Sequence, residues 1–172
     1  AKAAIDLIRL YMVRATENGK DEEARLGMAN AALFAGIAFS NSMVGMVHAL
    51  AHALGGVCHV PHGVANAILL PWCLEYNIDK VPEQIAELSG VLGGALGYLE
   101  PRDQAEETIS LVRNLLKRLN HVSGLPIRLN DAKVTEDMLH EVAKAAINDG
   151  ALVYNPREVS YEDALEIYRK AF

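Results

Sequence analysis

An all-α fold is predicted by three observations. The 172-residue chain is rich in alanine and leucine and only 6% aromatic, which favours close-packed helices over a sheet. Apolar residues recur at helical spacing, with no period-2 runs and no internal repeat. Turn and capping signals divide the chain into pieces of helix length. A single helical domain spanning residues 1–172 is expected.

Taken in order, residues 1–17 read as a helix with Ile5, Ile8, Met12 and Ala15 on one face. Asn18-Gly19 ends it, and Asp21 caps a second helix with acids in its first turn. That helix is expected to reach about Phe39, where Ser40–Ser42 break it and offer a fresh N-cap. The third helix runs from Met43 to about Leu54, ended by Gly55-Gly56. Val57–Pro61 is a loop. His62 or Gly63 opens a fourth helix, which Pro71 kinks or ends. Pro82–Val91 is a short amphipathic helix, and Gly90–Gly97 a glycine-rich loop. Residues 101–121 form a surface helix with Ile109, Val112, Leu115, Leu116 and Leu119 facing in. After a connector, Thr135 starts a helix to about Ile147. A loop over 148–159 follows, and Ser160 caps a last helix to Phe172.

The net charge of −6, with no Lys/Arg cluster, argues against nucleic acid as a partner. Two cysteines, Cys58 and Cys73, make no disulfide framework, so a reducing cytoplasm is expected. The opening "AKAAIDLIRLYMVRA" carries Asp6 and Arg9 within its apolar run and does not read as a signal peptide. It lacks an initiating Met and reads as a helix already under way, which predicts a segment of a longer chain. No Asp, Glu, Lys or Arg lies between Arg25 and Glu75. Asn30, Ser40, Asn41, Ser42, His48 and His52 interrupt this stretch and no basic flank orients it, so a membrane span is not expected. A helix apolar all round reads more simply as the central helix of a larger core.

Four of the six histidines (His48, His52, His59 and His62) fall in "GMVHALAHALGGVCHVPHGVANAILLP", Gly45–Pro71. A single histidine on an apolar face is usually a core residue bonded to a carbonyl. Four together without counter-charge favour neutral imidazoles that bind a cation or one another. His48 and His52, at i and i+4, share a helix face and make a usable ligand pair. Cys58 with His59 and His62 is a rival set, although a cysteine there more often packs as a small hydrophobe. Ala49 directly after His48 excludes the zincin motif. A catalytic site needs at least three protein ligands and an open position. No Asp-x-x-x-His pair exists to complete one, since Asp6 is followed at i+4 by Leu10.

This stretch resembles the signature of the iron-containing (group III) alcohol dehydrogenases, and so do "AGIAFSNS" before it and "NPREVSYEDALEIY" near the end. The resemblance covers nearly the whole chain. It implies the helical C-terminal domain of a dehydroquinate-synthase-like fold, whose N-terminal dinucleotide-binding domain lies outside these residues. It implies a divalent metal, Fe2+ or Zn2+, and reversible oxidation of a small alcohol to an aldehyde or ketone with NAD or NADP. By motif position His48 and His62 match metal ligands, and His52 matches the histidine that assists proton movement. This differs from the ligand pair that spacing alone suggests. The other two ligands, an Asp and a His four residues later, belong upstream, as does the pyrophosphate loop; Gly90–Gly97 follows a helix and is no substitute. His59 matches a variable position. Ala53 stands where many members carry Pro, a change in how the third helix ends. The resemblance further implies a homo-oligomer, commonly a dimer.

Other readings stay open. One is a non-catalytic helical metal-binding or assembly module. Another is a maleylacetate-reductase-like or dehydroquinate-synthase-like relative, although "PHGVANAILLP" favours the alcohol dehydrogenase branch. Phe39, Val47 and Leu54 are candidate pocket walls, with core packing as the simpler role. Arg157 in "NPRE" is expected to pair with a nearby acid in a turn rather than to bind substrate. His121 and His140 are expected to be solvated, and the acid excess along 100–107 and 158–166 to form a soluble face.

Overall fold

The structure, a computed structural model, describes residues 1–94 and 99–172. It contains α1 (Lys2–Glu17), α2 (Glu22–Ser42), α3 (Met46–Cys58), α4 (His62–Asn77), α5 (Pro82–Ala86), α6 (Pro101–Ser123), α7 (Leu139–Ala146) and α8 (Tyr161–Ala171). Short 3-10 turns at Glu136–Met138 and Gly150–Tyr154 flank α7. No strand occurs among the described residues. The chain divides into two compact units, Ala1–Met43 with Val81–Leu125, and Val44–Lys80 with Pro126–Phe172.

In the first unit α1 and α2 form a hairpin, and α6 packs on both α1 and α5. Asp21 caps α2 by accepting from the Ala24 N–H at 3.0 Å, and Arg14 reaches the same carboxylate. The helices approach closely where Gly27 lies under Tyr11: a Cβ there would sit 2.3 Å from the ring. The buried face of α1 is Ala4 and Val13, one step round from the expected Ile5, Ile8, Met12 and Ala15, which are only half-buried. In α6, Ile109 and Leu119 are buried, while Val112, Leu115 and Leu116 are partly covered. Thr108 anchors α6 to α5 by donating to the Ile85 carbonyl at 2.9 Å.

The expectation that the uncharged stretch after Arg25 supplies a central core helix is met by α3 and not, within this unit, by α2. Only Ala24, Gly27 and Ala31 are buried, while Leu26, Leu33 and Ile37 are 65%, 57% and 56% exposed. The Pro82–Val91 helix is shorter than expected, ending at Ala86 and giving way to turns. Part of the expected Gly90–Gly97 loop lies outside the described residues. Within it Gly93 has φ +89°, and a side chain at Gly94 would collide with Ser89 and Leu111.

The second unit is built around α3, whose Ala49, Leu50, Ala51 and Leu54 are fully or almost fully buried against α4 and α7. Tyr168 of α8 donates its buried hydroxyl to the Leu50 carbonyl at 2.8 Å. One expected stop is overrun. Helix α3 continues through Gly55-Gly56 to Cys58, because the packing of Val57 and Cys58 on the core outweighs the roughly 1 kcal/mol that each glycine costs a helix. It ends instead at His59, whose left-handed φ of 57° lets the Val60 N–H return to the Leu54 carbonyl at 3.3 Å. Helix α4 runs through Pro71 to Asn77, held by the buried Ile68, Leu69 and Cys73 around the missing N–H. Ser160 caps α8 as expected, in a reciprocal box with Asp163. Asn77 and Asn155 exchange side-chain hydrogen bonds of 3.1 and 2.9 Å, tying the end of α4 to the "NPRE" turn.

Candidate functional site

The histidines of interest all belong to the second unit. His48 and His52 stand one turn apart on α3, and His62 is the first residue of α4. The chain reverses through His59, Val60 and Pro61, so the start of α4 returns beside the exposed face of α3. The three rings form a triangle. Centroids are 5.3 Å apart for His48–His62, 5.2 Å for His52–His62 and 6.0 Å for His48–His52. His52 and His62 are stacked at 19°, whereas His48 is tilted 54° to His62 and 73° to His52.

Each ring has a distinct environment. His48 is half-buried, and its pKa is pushed below the usual value by burial first, then by His62 and His52, with Asp149 opposing. This keeps the ring neutral, the form in which imidazole binds a cation. His52 is more open, and its Nδ1 lies 2.8 Å from Oδ2 of Asp149. Asp149 also accepts the Ala151 N–H through Oδ1 at 2.8 Å, capping the turn at Gly150–Tyr154. Burial raises the pKa of this carboxyl, but the Ala151 N–H and then His52 outweigh it, so the group stays below the usual carboxylate range. Asn66, one turn after His62, donates from Nδ2 to His62 Nε2 at 3.0 Å and to the His62 carbonyl at 2.9 Å. Its Oδ1 is buried and has no hydrogen-bond partner among the described residues.

Sequence reading missed both Asp149 and Asn66. Asn66 was findable, four residues after His62 on one helix. Asp149 lies 97 residues from His52, and no local pattern marks it.

The rival ligand set does not assemble. His59 is the exposed left-handed cap of α3, and Cys58 faces Met138 with an S···S distance of 3.7 Å. Burial, and then Glu141, raise the Cys58 thiol pKa away from the thiolate. Cys73 is buried, with its pKa raised far more strongly. Of the candidate walls, Leu54 is core, Val47 packs on the core, and Phe39 in the first unit is exposed. Arg157 lies over the Tyr76 ring, 4.0 Å from its centroid, and donates to the Tyr76 carbonyl at 3.2 Å. The acid that feels its charge is Asp163, whose carboxyl it helps to hold below the usual value. His121 is exposed. His140 is exposed too, but its Nδ1 lies 2.6 Å from the Tyr161 hydroxyl.

A metal fits these residues only as half of a shell. With metal–nitrogen bonds of about 2 Å, two imidazoles at a tetrahedral angle place their centroids roughly 5 Å apart. The His48–His62 separation matches this, and the two rings are tilted rather than parallel. The stacked His52–His62 pair matches in distance as well. Among the described residues no three His, Cys, Asp or Glu side chains are arranged to hold an ion. The unpartnered Asn66 oxygen beside His62 likewise calls for a group from elsewhere.

Comparison with known proteins gives a consistent picture. Residues 1–172 match the sequence profile described as "Fe-containing alcohol dehydrogenase family, C-terminal". The 1,3-propanediol dehydrogenase of Klebsiella pneumoniae is 39% identical over 172 residues, which are 100% of this chain and 43% of that protein. The NAD-dependent methanol dehydrogenase of Bacillus methanolicus is 33% identical over 168 residues, 98% of this chain and 43% of its own length. A crystal structure of 1,3-propanediol oxidoreductase superposes with a TM-score of 0.94 at 38% identity, covering 99% of this chain and 44% of that one. The chain thus spans less than half the length of these relatives.

Proposed function

This chain belongs to the Fe-containing alcohol dehydrogenase family, matching its C-terminal part, and from that premise we propose that it is the helical metal-binding part of an NAD(P)-dependent alcohol dehydrogenase. The reaction is the reversible oxidation of a small alcohol to an aldehyde or ketone. In this reading His48 and His62 are metal ligands and His52 is the catalytic proton relay. The remaining ligands, and the NAD or NADP site, come from an N-terminal nucleotide-binding domain. The 1–172 segment acts as one helical domain, within a homo-oligomer in the cytoplasm. The observation that carries the proposal is the meeting of His48, His52 and His62 in a part of the chain without Asp, Glu, Lys or Arg.

The roles follow from the surroundings. Iron(II) or zinc, when bound, supplies Lewis-acid polarisation of the alcohol oxygen. His48 and His62 hold it as neutral donors, and the burial of His48 keeps that ring uncharged. His52 is the more open of the two α3 imidazoles, and in this reading it passes a proton to or from the substrate oxygen.

In the complete dehydrogenase, His62→Ala should abolish metal-dependent turnover and lower metal content. His52→Ala should slow turnover with metal content nearly intact. A metal-free His52→Ala enzyme, or a fully active His62→Ala enzyme, would reverse these assignments. Turnover assays paired with elemental analysis read both outcomes.

A further inference from the structure

We propose that Asp149 is a positioning residue that holds His52 with its ring proton on Nδ1, leaving Nε2 as the edge that exchanges a proton with substrate. The proposal deepens the function argued above and rests on its reading of His52 as the relay.

The argument begins with the division of labour between the two oxygens of Asp149. Oδ1 accepts the Ala151 N–H at 2.8 Å, which is all that capping the Gly150–Tyr154 turn requires. Oδ2 is left for a second task, and at 2.8 Å from His52 Nδ1 it takes one. An ionised carboxylate has no proton to give, so the hydrogen in this contact must be carried by Nδ1. A neutral imidazole protonated at Nδ1 has its lone pair on Nε2. No hydrogen bond engages Nε2 among the described residues, so the acceptor edge stays available.

The carboxylate is itself held still. The Asp149 N–H donates to the Ala146 carbonyl at 3.1 Å at the end of α7, and the Asp149 carbonyl accepts the Leu152 N–H at 3.1 Å. The carboxylate therefore projects from a turn closed on both sides, on an element that packs against α3. His52 needs such a tether, because 47% of its side chain is exposed and an exposed imidazole rotates freely about χ1 and χ2. The tether also preserves the stacking on His62 at 19°, which a turned ring would lose.

Cap and tether can be separated by substitution. In Asp149→Asn the single oxygen is retained by the Ala151 N–H, so the amide NH2 faces His52. Nδ1 must then accept, and the ring proton moves to Nε2. In Asp149→Ser the hydroxyl still caps the turn but does not reach His52, and both tautomers should be populated. The measurement is the long-range 1H–15N correlation spectrum of the intact protein, labelled with 15N-histidine, metal-free, and recorded above the imidazole titration range. The wild type should show His52 protonated at Nδ1, and Asp149→Asn should show it protonated at Nε2, with helical content unchanged. An Nε2 proton in the wild type, or the same tautomer in both proteins, would overturn the proposal. In the metal-loaded dehydrogenase, Asp149→Asn should lower kcat about 10- to 100-fold with alcohol KM and metal content retained. A tautomer switch without loss of kcat leaves the positioning role standing and removes the relay role of His52, so the two failures are distinct.

Discussion

At the scale of single residues, backbone conformation and side-chain chemistry assign different tasks to neighbouring histidines. His59 occupies a left-handed position, φ 57°, at which L side chains are strained by roughly 1–2 kcal/mol. Its ring is exposed, and its contribution is the turn that brings the start of α4 back beside α3. His59→Gly should therefore stabilise the protein by about 0.5–1 kcal/mol, the strain relieved being partly offset by the greater freedom of an unfolded glycine. Urea unfolding checks this. A loss of stability would mean that the His59 ring packs. The same residue type three positions later, His62, stands in the ring cluster, where substitution should act on chemistry rather than on stability. Asn66 sits between these cases, with one end of its amide bonded to His62 and the other buried without a partner among the described residues.

At the scale of elements, stability comes from caps and buried faces more than from helix propensity. Helix α8 starts with a reciprocal box in which Asp163 N–H donates to Ser160 Oγ at 3.1 Å and Ser160 N–H donates to Asp163 Oδ2 at 3.0 Å. Ser160→Ala should cost about 1 kcal/mol at neutral pH. Burial raises the Asp163 pKa, but hydrogen bonds from the Ser160 hydroxyl and N–H outweigh it and hold the carboxyl below its usual value. A depressed carboxylate adds stability above its unfolded pKa and loses it as pH falls through the folded one. The difference between wild type and Ser160→Ala should therefore narrow as the medium is acidified below the carboxylate range. Thermal melts across that range test the sign. Helices α3 and α4 show the complementary lesson: α3 runs through Gly55-Gly56 to Val57 and Cys58, which pack on the core, and α4 runs through a buried Pro71.

At the scale of the whole molecule, the chain corresponds to 43% of the length of the Klebsiella relative, and its histidine cluster offers a metal only part of a shell. Structural zinc sites with four ligands contribute on the order of 10–16 kcal/mol, and half the ligands should forfeit much of that. The 172-residue chain prepared alone should be helical by circular dichroism. It should be inactive towards alcohols and should retain well under one equivalent of iron or zinc after dialysis. A tight stoichiometric site in the chain alone would contradict the shared-shell reading. Among the described residues no single helix is long and apolar enough to cross a membrane.

Sequence alone determined the helical class, most helix starts, and the family motif with its candidate histidines, because caps, spacing and motif are local in the chain. Asp21 and Ser160 were legible as caps, and His48, His52 and His62 as a group that the structure brings together. Tertiary structure alone decided where α3 and α4 end, which face of α1 is buried, and that α2 leaves Leu26, Leu33 and Ile37 exposed in its unit. It also decided that Asp149 meets His52. The physical reasons are two: packing against partners distant in sequence chooses the covered faces and outweighs local breaker signals worth about 1–3 kcal/mol, and a contact across 97 residues leaves no periodic trace in the sequence.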